Sequence, residues 1–118
     1  MAIEHDKRLS KRVSVLLKGT YRLNGSDFPF SIMTAVNINT HGICFVTDEA
    51  LEADRLIELT IILPDNEPLA LFAKTIWSSQ INNSDLFRAG IQILNLDSED
   101  FKKFKAFYEG RLAEPPKI

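Results

Sequence analysis

The chain has 118 residues, 45% of them apolar and 25% charged, which fits one globular domain and leaves too little for a second core. No apolar run nears the roughly 18 residues that a membrane-spanning helix needs, and MAIEHDKRLSKRV holds no apolar signal segment, so a cytoplasmic protein without membrane insertion is expected. The net charge of -2 divides unevenly: residues 1–25 carry six basic side chains against Glu4 and Asp6, a net +4, and the rest carries -6, which suggests a local anion site rather than a protein that coats nucleic acid.

From Val13 the pattern has a period of two. Val13, Val15, Leu17, Tyr21 and Leu23 alternate with Ser14, Lys18, Thr20 and Arg22, which predicts a strand with one buried face, interrupted on its polar side by Leu16. Asn24 to Asp27 reads as a turn, and FPFSIMTAV as the second strand of a hairpin, entered through a proline tolerated at a strand start. The stretch NINTHG, Asn37 to Gly42, then leads into a short apolar strand from Ile43 to Thr47, where the single cysteine, Cys44, is expected as a small buried thiol. After the polar DEALEADR come Leu56 to Leu63, the turn PDNEP, Leu69 to Ser78, the connection SSQINNSD, and Leu86 to Leu94. In the last of these, Phe87, Ala89, Ile91 and Ile93 share one face, and Arg88, Gly90 and Gln92 share the other.

Six short strands with polar turns and no intervening helices favour a mainly β fold, an antiparallel six-stranded barrel or sandwich. The period then changes. In DSEDFKKFKAFYEGRL the residues Phe101, Phe104, Tyr108 and Leu112 recur at three or four, which predicts a C-terminal α-helix with Asp97 or Ser98 as its cap and Glu99 and Asp100 at its positive end. Its aromatic stripe either packs on the barrel or forms a docking face. The division expected is a basic N-terminal arm over 1–12, a barrel over 13–96, the helix over 97–113 and a tail over 114–118.

Signals for catalysis are sparse. The two histidines, His5 and His41, lie in the arm and in a turn, and no serine sits in a nucleophile motif such as G-x-S-x-G. His41 and Cys44 are not matched by a second pair at zinc-ligand spacing, and no glycine-rich phosphate loop occurs. The expectation is a protein that is not an enzyme, with no metal and no resident cofactor. A small barrel for single-stranded nucleic acid fits the basic arm but not the acidic body, so neither DNA nor RNA is the expected partner.

Two motifs frame the first hairpin. Arg8 and Arg12 form R-x-x-x-R in front of the first strand, and Asn37 to Gly42 follows the second. Antiparallel pairing brings the start of one strand beside the end of the other, so both motifs should meet at one end of the sheet. Arginine there offers a planar fork that binds phosphate with two bonds, stacks on a base, or addresses the O6/N7 edge of guanine.

This arrangement resembles the PilZ domain, the bacterial receptor module for cyclic di-GMP, whose pattern is R-x-x-x-R ahead of a six-stranded barrel and then [D/N]-x-S-x-x-G after the second strand. Arg8 and Arg12 match the first element, Asn37 and Gly42 match the ends of the second, and KTIWSSQ…LFRAGIQIL is similar to the family's later hairpin. The resemblance covers about residues 6–112. It implies a barrel with a following helix, arginines that clamp the nucleotide's phosphates and guanines, and loop residues that bond the other base and backbone. Carried over by position, Arg8, Arg12, Asn37, Asn39 and Gly42 form the candidate cyclic di-GMP site.

One departure lies inside that site. Asn39 stands where the family has serine, and its larger amide is expected to crowd a pocket shaped for a hydroxyl, at about 1–3 kcal/mol if packing is tight. His41 stands where glycine is common in the family. Two functions follow from the resemblance. The first is a receptor that passes the second-messenger signal to an unidentified protein partner in motility, pilus or biofilm machinery. The second is a degenerate adaptor that binds no nucleotide and acts by protein contact alone, NINTHG then being an Asn/Gly-rich turn without a ligand.

Overall fold

A computed structural model describes residues 11–25 and 30–113. Six strands, β1 (Val13–Leu23), β2 (Ser31–Ile38), β3 (Gly42–Thr47), β4 (Leu56–Ile62), β5 (Pro68–Gln80) and β6 (Phe87–Asn95), are followed by one helix, α1 (Ser98–Ala113). All pairings are antiparallel, and the strands close into a barrel in the order β1-β2-β3-β6-β5-β4. Closure leaves no strand edge open, which is how a small all-β chain avoids edge-to-edge association.

The period-two pattern explains the core. Val15, Leu17 and Tyr21 of β1, Met33 and Ala35 of β2, Ile43 and Phe45 of β3, and Ala89 and Ile91 of β6 all point inward and are buried. Inside, the Tyr21 and Phe45 rings lie 5.4 Å apart in a tilted arrangement. Leu16 stands outward at 81% exposure, where a bulge between Ser14 and Leu17 shifts the β1–β2 register. At the far end of the barrel the Tyr21 hydroxyl donates to Glu49, which also accepts from Ser31 Oγ at 3.1 Å.

The connection between β3 and β4 is fixed to β5 by one buried side chain. Thr75 Oγ1 accepts from Arg55 N at 2.9 Å and donates to Glu52 O, while Asp54 N donates to Thr75 O at 2.7 Å. Asp54 carries a positive φ of 65°, a turn conformation that a short polar residue tolerates.

Several expected boundaries move. The second strand starts at Ser31, with Phe30 outside it and Phe28 and Pro29 outside the described residues, and it runs on through Asn37 and Ile38. Because Gly42 already opens β3, the turn proper is only Asn39 to His41. The helix begins at Ser98 and is capped by Asp97, whose Oδ1 accepts from Asp100 N at 2.9 Å.

The helix packs on the barrel, but on a rotated stripe. Phe104 and Tyr108 enter the core and Phe107 lies against it, whereas Phe101 and Leu112 remain 43% and 41% exposed. With this rotation Tyr108 bonds to the Lys11 carbonyl just before β1 and Arg111 to the Ser14 carbonyl within it. Among the described residues no helix is long and apolar enough to cross a membrane, and no group of three or more His, Cys, Asp or Glu side chains is placed to hold a metal ion.

Candidate functional site

Pairing places the ends of the first hairpin together. Val13 lies opposite Ile38 and Ser14 opposite Asn37, so Arg12 leaves the barrel beside the Asn39–His41 turn. That turn is held by its own first side chain: Asn39 Oδ1 accepts from His41 N at 2.9 Å and from Gly42 N at 2.8 Å, and Asn39 N donates to Gly42 O at 3.0 Å. An Asx turn of this kind replaces the backbone hydrogen bonds that a tight three-residue connection cannot make for itself. Thr40 Oγ1 lies 3.1 Å from His41 Nδ1, and Ile93 N donates to His41 O at 2.8 Å, which ties the turn to β6.

Arg12, Asn37, Asn39 and Gly42 line one cleft of about 170 Å³. Of the five residues expected from sequence, these four converge; Arg8 lies outside the described residues. The Asn39 side-chain oxygen accepts from two main-chain amides of its own loop while the residue lines the cleft. Gly42 is required by close approach, since a Cβ there would stand 2.6 Å from the Ile91 carbonyl oxygen.

The remaining walls come from residues to which sequence reasoning gave no role. Trp77 and Ile76 of β5 and Gly90 of β6 complete the cleft, with Cys44 on its floor. A register shift between Thr75 and Trp77 brings Trp77 opposite Gly90, and the indole covers that glycine so closely that a Cβ would lie 2.3 Å from Nε1. The signal was present in sequence: a lone glycine inside a strand pattern marks close approach of another group. Cys44 is buried as expected, and burial pushes its thiol above the ordinary range, while the positive charges of Arg88 and Arg12 act in the opposite direction.

The cleft therefore combines a guanidinium, side-chain amides, a half-exposed indole and a glycine floor. Such a set suits a ligand with anionic oxygens and a flat aromatic ring. A larger hollow of about 420 Å³ between α1 and the β4–β5 turn is lined by Leu63, Pro64 and Phe107 and has no comparable set of donors.

A family model described as the PilZ domain matches residues 6–110, and the chain belongs to that family. Solved structures share the fold. The PilZ domain of YcgR from Escherichia coli, solved with c-di-GMP, aligns with a TM-score of 0.71 at 12% identity, over 90% of this chain and 92% of that one. MotI/DgrA, an inhibitor of motility from Bacillus subtilis, aligns with a TM-score of 0.74 at 15% identity over 90% of this chain, which spans about half (51%) of that protein's length. The PilZ domain of CeSA from a cellulose-synthesizing bacterium gives a TM-score of 0.62 at 13% identity, covering 86% and 97% of the two chains. No curated protein matches the sequence significantly.

Proposed function

We propose that this PilZ-domain chain is a cytoplasmic receptor for cyclic di-GMP, a binding module rather than an enzyme, which transmits the signal by contact with another protein. The observation that carries the reading is the convergence of Arg12 with Asn37, Asn39 and Gly42 in one cleft. The site comprises those four residues and Arg8. Arg12 meets a phosphodiester or a guanine edge through its two-pronged fork, Asn37 supplies an amide to a base or ribose, and Gly42 lets the ligand approach the backbone. Trp77 offers a ring face for stacking. The likeness to YcgR, solved with c-di-GMP, supports the ligand, and the likeness to MotI/DgrA, an inhibitor of motility, supports a partner in motility, pilus or biofilm machinery.

A second reading, an adaptor without nucleotide, draws on one observation. At about 170 Å³ the cleft is smaller than the roughly 300–1,000 Å³ usual for sites that enclose a small molecule. The receptor reading needs the basic arm to supply part of the enclosure, which is the place the R-x-x-x-R motif gives to Arg8.

Titration calorimetry of the full chain with cyclic di-GMP decides between them. Loss of one charge-assisted contact costs about 1.5–3 kcal/mol, so Arg8→Ala and Arg12→Ala should each weaken binding by about 10- to 150-fold. Equal affinity in wild type and both variants would overturn the site, and absence of binding at high micromolar nucleotide would leave the adaptor.

A further inference from the structure

Strand register alone draws the floor of the cleft. The pairings Ser14 with Asn37, Asn37 with Cys44, Cys44 with Gly90, and Gly90 with Trp77 form one outward row across five strands. Two residues along each strand lies the next outward row on either side. One side holds Gly42 and Gln92, with Arg12 two positions before Ser14 on β1. The other side holds Val46, Arg88 and Ser79. Arg12 and Arg88 therefore flank the Cys44–Gly90 floor from opposite directions, on rows about 13 Å apart at ~3.3 Å per residue, with arginine side chains long enough to lean over the floor from each.

Among the described residues their charges also lack ion-pair partners. Arg22 faces Glu58, Arg55 faces Glu52, Lys74 faces Asp54, and Lys103 faces Glu67 and Asp100, each within 4.0 Å. Neither Arg12 nor Arg88 forms an ion pair with any described residue. Both nevertheless act electrostatically on the Cys44 thiol that lies between them. Two guanidinium groups without carboxylate partners among the described residues, Arg12 lining the cleft and Arg88 on the outward row beyond its Cys44–Gly90 floor, suit a ligand with two separated negative charges.

We propose that Arg88 is a second cationic lip of the cleft and holds the second phosphodiester of a cyclic dinucleotide whose first is held from the Arg12 side. The proposal rests on the receptor reading and adds to it a contact outside both sequence motifs. A cyclic dinucleotide carries its two phosphodiesters on opposite sides of one ring, so a single lip neutralises only one of them. The second lip makes the site selective for the dinucleotide over a mononucleotide, which reaches one lip at a time.

The test uses the full chain, with calorimetric titration of cyclic di-GMP and of 5′-GMP into wild type, Arg12→Ala, Arg88→Ala and Arg88→Lys, and thermal melts without nucleotide as a folding control. Support is a loss of tenfold or more for cyclic di-GMP in Arg88→Ala, with a shallower dependence on salt, a smaller loss in Arg88→Lys, and melts equal to wild type. A wild type that binds, an Arg12→Ala that loses affinity and an Arg88→Ala within twofold of wild type would overturn the role of Arg88 and leave the receptor reading intact. A wild type that binds no cyclic di-GMP overturns both.

Discussion

The Tyr108 hydroxyl on α1 donates to the main-chain carbonyl of Lys11, the residue directly before Arg12. Arg111 Nη2 adds a bond to Ser14 O at 2.8 Å, so the last turns of the helix grip the chain on both sides of the arginine. The root of the basic arm is thus positioned by the C-terminal element.

Removing that grip is expected to act on both stability and binding. Tyr108→Phe keeps the buried ring and deletes one hydrogen bond, which should lower unfolding stability by about 1 kcal/mol in a urea titration with unchanged slope. A looser Arg12 must be ordered by the ligand, so cyclic di-GMP affinity should fall several-fold in the same variant. A variant with wild-type affinity would show that the helix supports the barrel but not the site.

Gly90→Ala should displace the indole. The added Cβ would lie 2.3 Å from Trp77 Nε1, and the ring must shift or the strands must part, at about 1–3 kcal/mol. Trp77 is the only tryptophan, so its emission reports this one wall without interference. A red shift of the emission and weakened nucleotide binding are expected, and an unchanged spectrum would contradict the packing of ring on glycine.

At Asn39 the crowding expected from sequence has a direct test. If the amide crowded a pocket built for serine, Asn39→Ser would tighten binding by 5- to 150-fold, the equivalent of about 1–3 kcal/mol. With Oδ1 held by His41 N and Gly42 N, a serine hydroxyl can do little more than keep part of the same turn, so affinity in Asn39→Ser should stay within a few-fold of wild type. Asn39→Ala, which leaves both amides without their acceptor, should cost about 0.5–2 kcal/mol in stability, as loss of a comparable cap does.

The buried hydroxyl of Tyr21 sets an alkaline limit. Burial, and next the hydrogen bond to Glu49, raise its pKa well above the ordinary 10.0, so the folded state holds the proton more tightly than the unfolded chain. The stabilisation is complete below pH 10 and is lost as pH rises from there toward the folded-state pKa. Tyr21→Phe should flatten that part of a stability profile measured by denaturant titration above pH 10, and an equally steep decline in the variant would assign the loss to other groups.

Much of the barrel was legible because its signals are local. Alternation of apolar residues gave the six strands in order, and the change of period at Asp97 gave the helix. The aromatic stripe was misplaced at its ends because spacing alone does not say how far a helix is rotated on its support, here with Tyr108 bonded to Lys11 and Arg111 to Ser14. That Arg12 and the Asn37–Gly42 stretch would meet could be read from order and hairpin geometry, while the choice of Asn37, Asn39 and Gly42 as ligand-binding candidates came from the family resemblance. Gly90 carried a local sign of close approach, but its partner Trp77 could not be assigned, since their meeting depends on a register shift in β5 that no local pattern announces. The turn bonds of the Asn39 side chain were likewise hidden, because residue type gives bulk and donors but not the partners that hold them.

The floor of the cleft exists only once the barrel has closed. Cys44 meets Gly90 only through the β3–β6 pairing, a contact between residues far apart in the sequence, while the first hairpin can form from neighbouring segments. Contacts of long sequence separation form late, after the cost of closing a large loop has been met. A chain with only its first hairpin holds both motifs and still has no trough. On the receptor reading, nucleotide in the trough binds the closed barrel and not its precursors, and by mass action it draws the folding equilibrium toward closure.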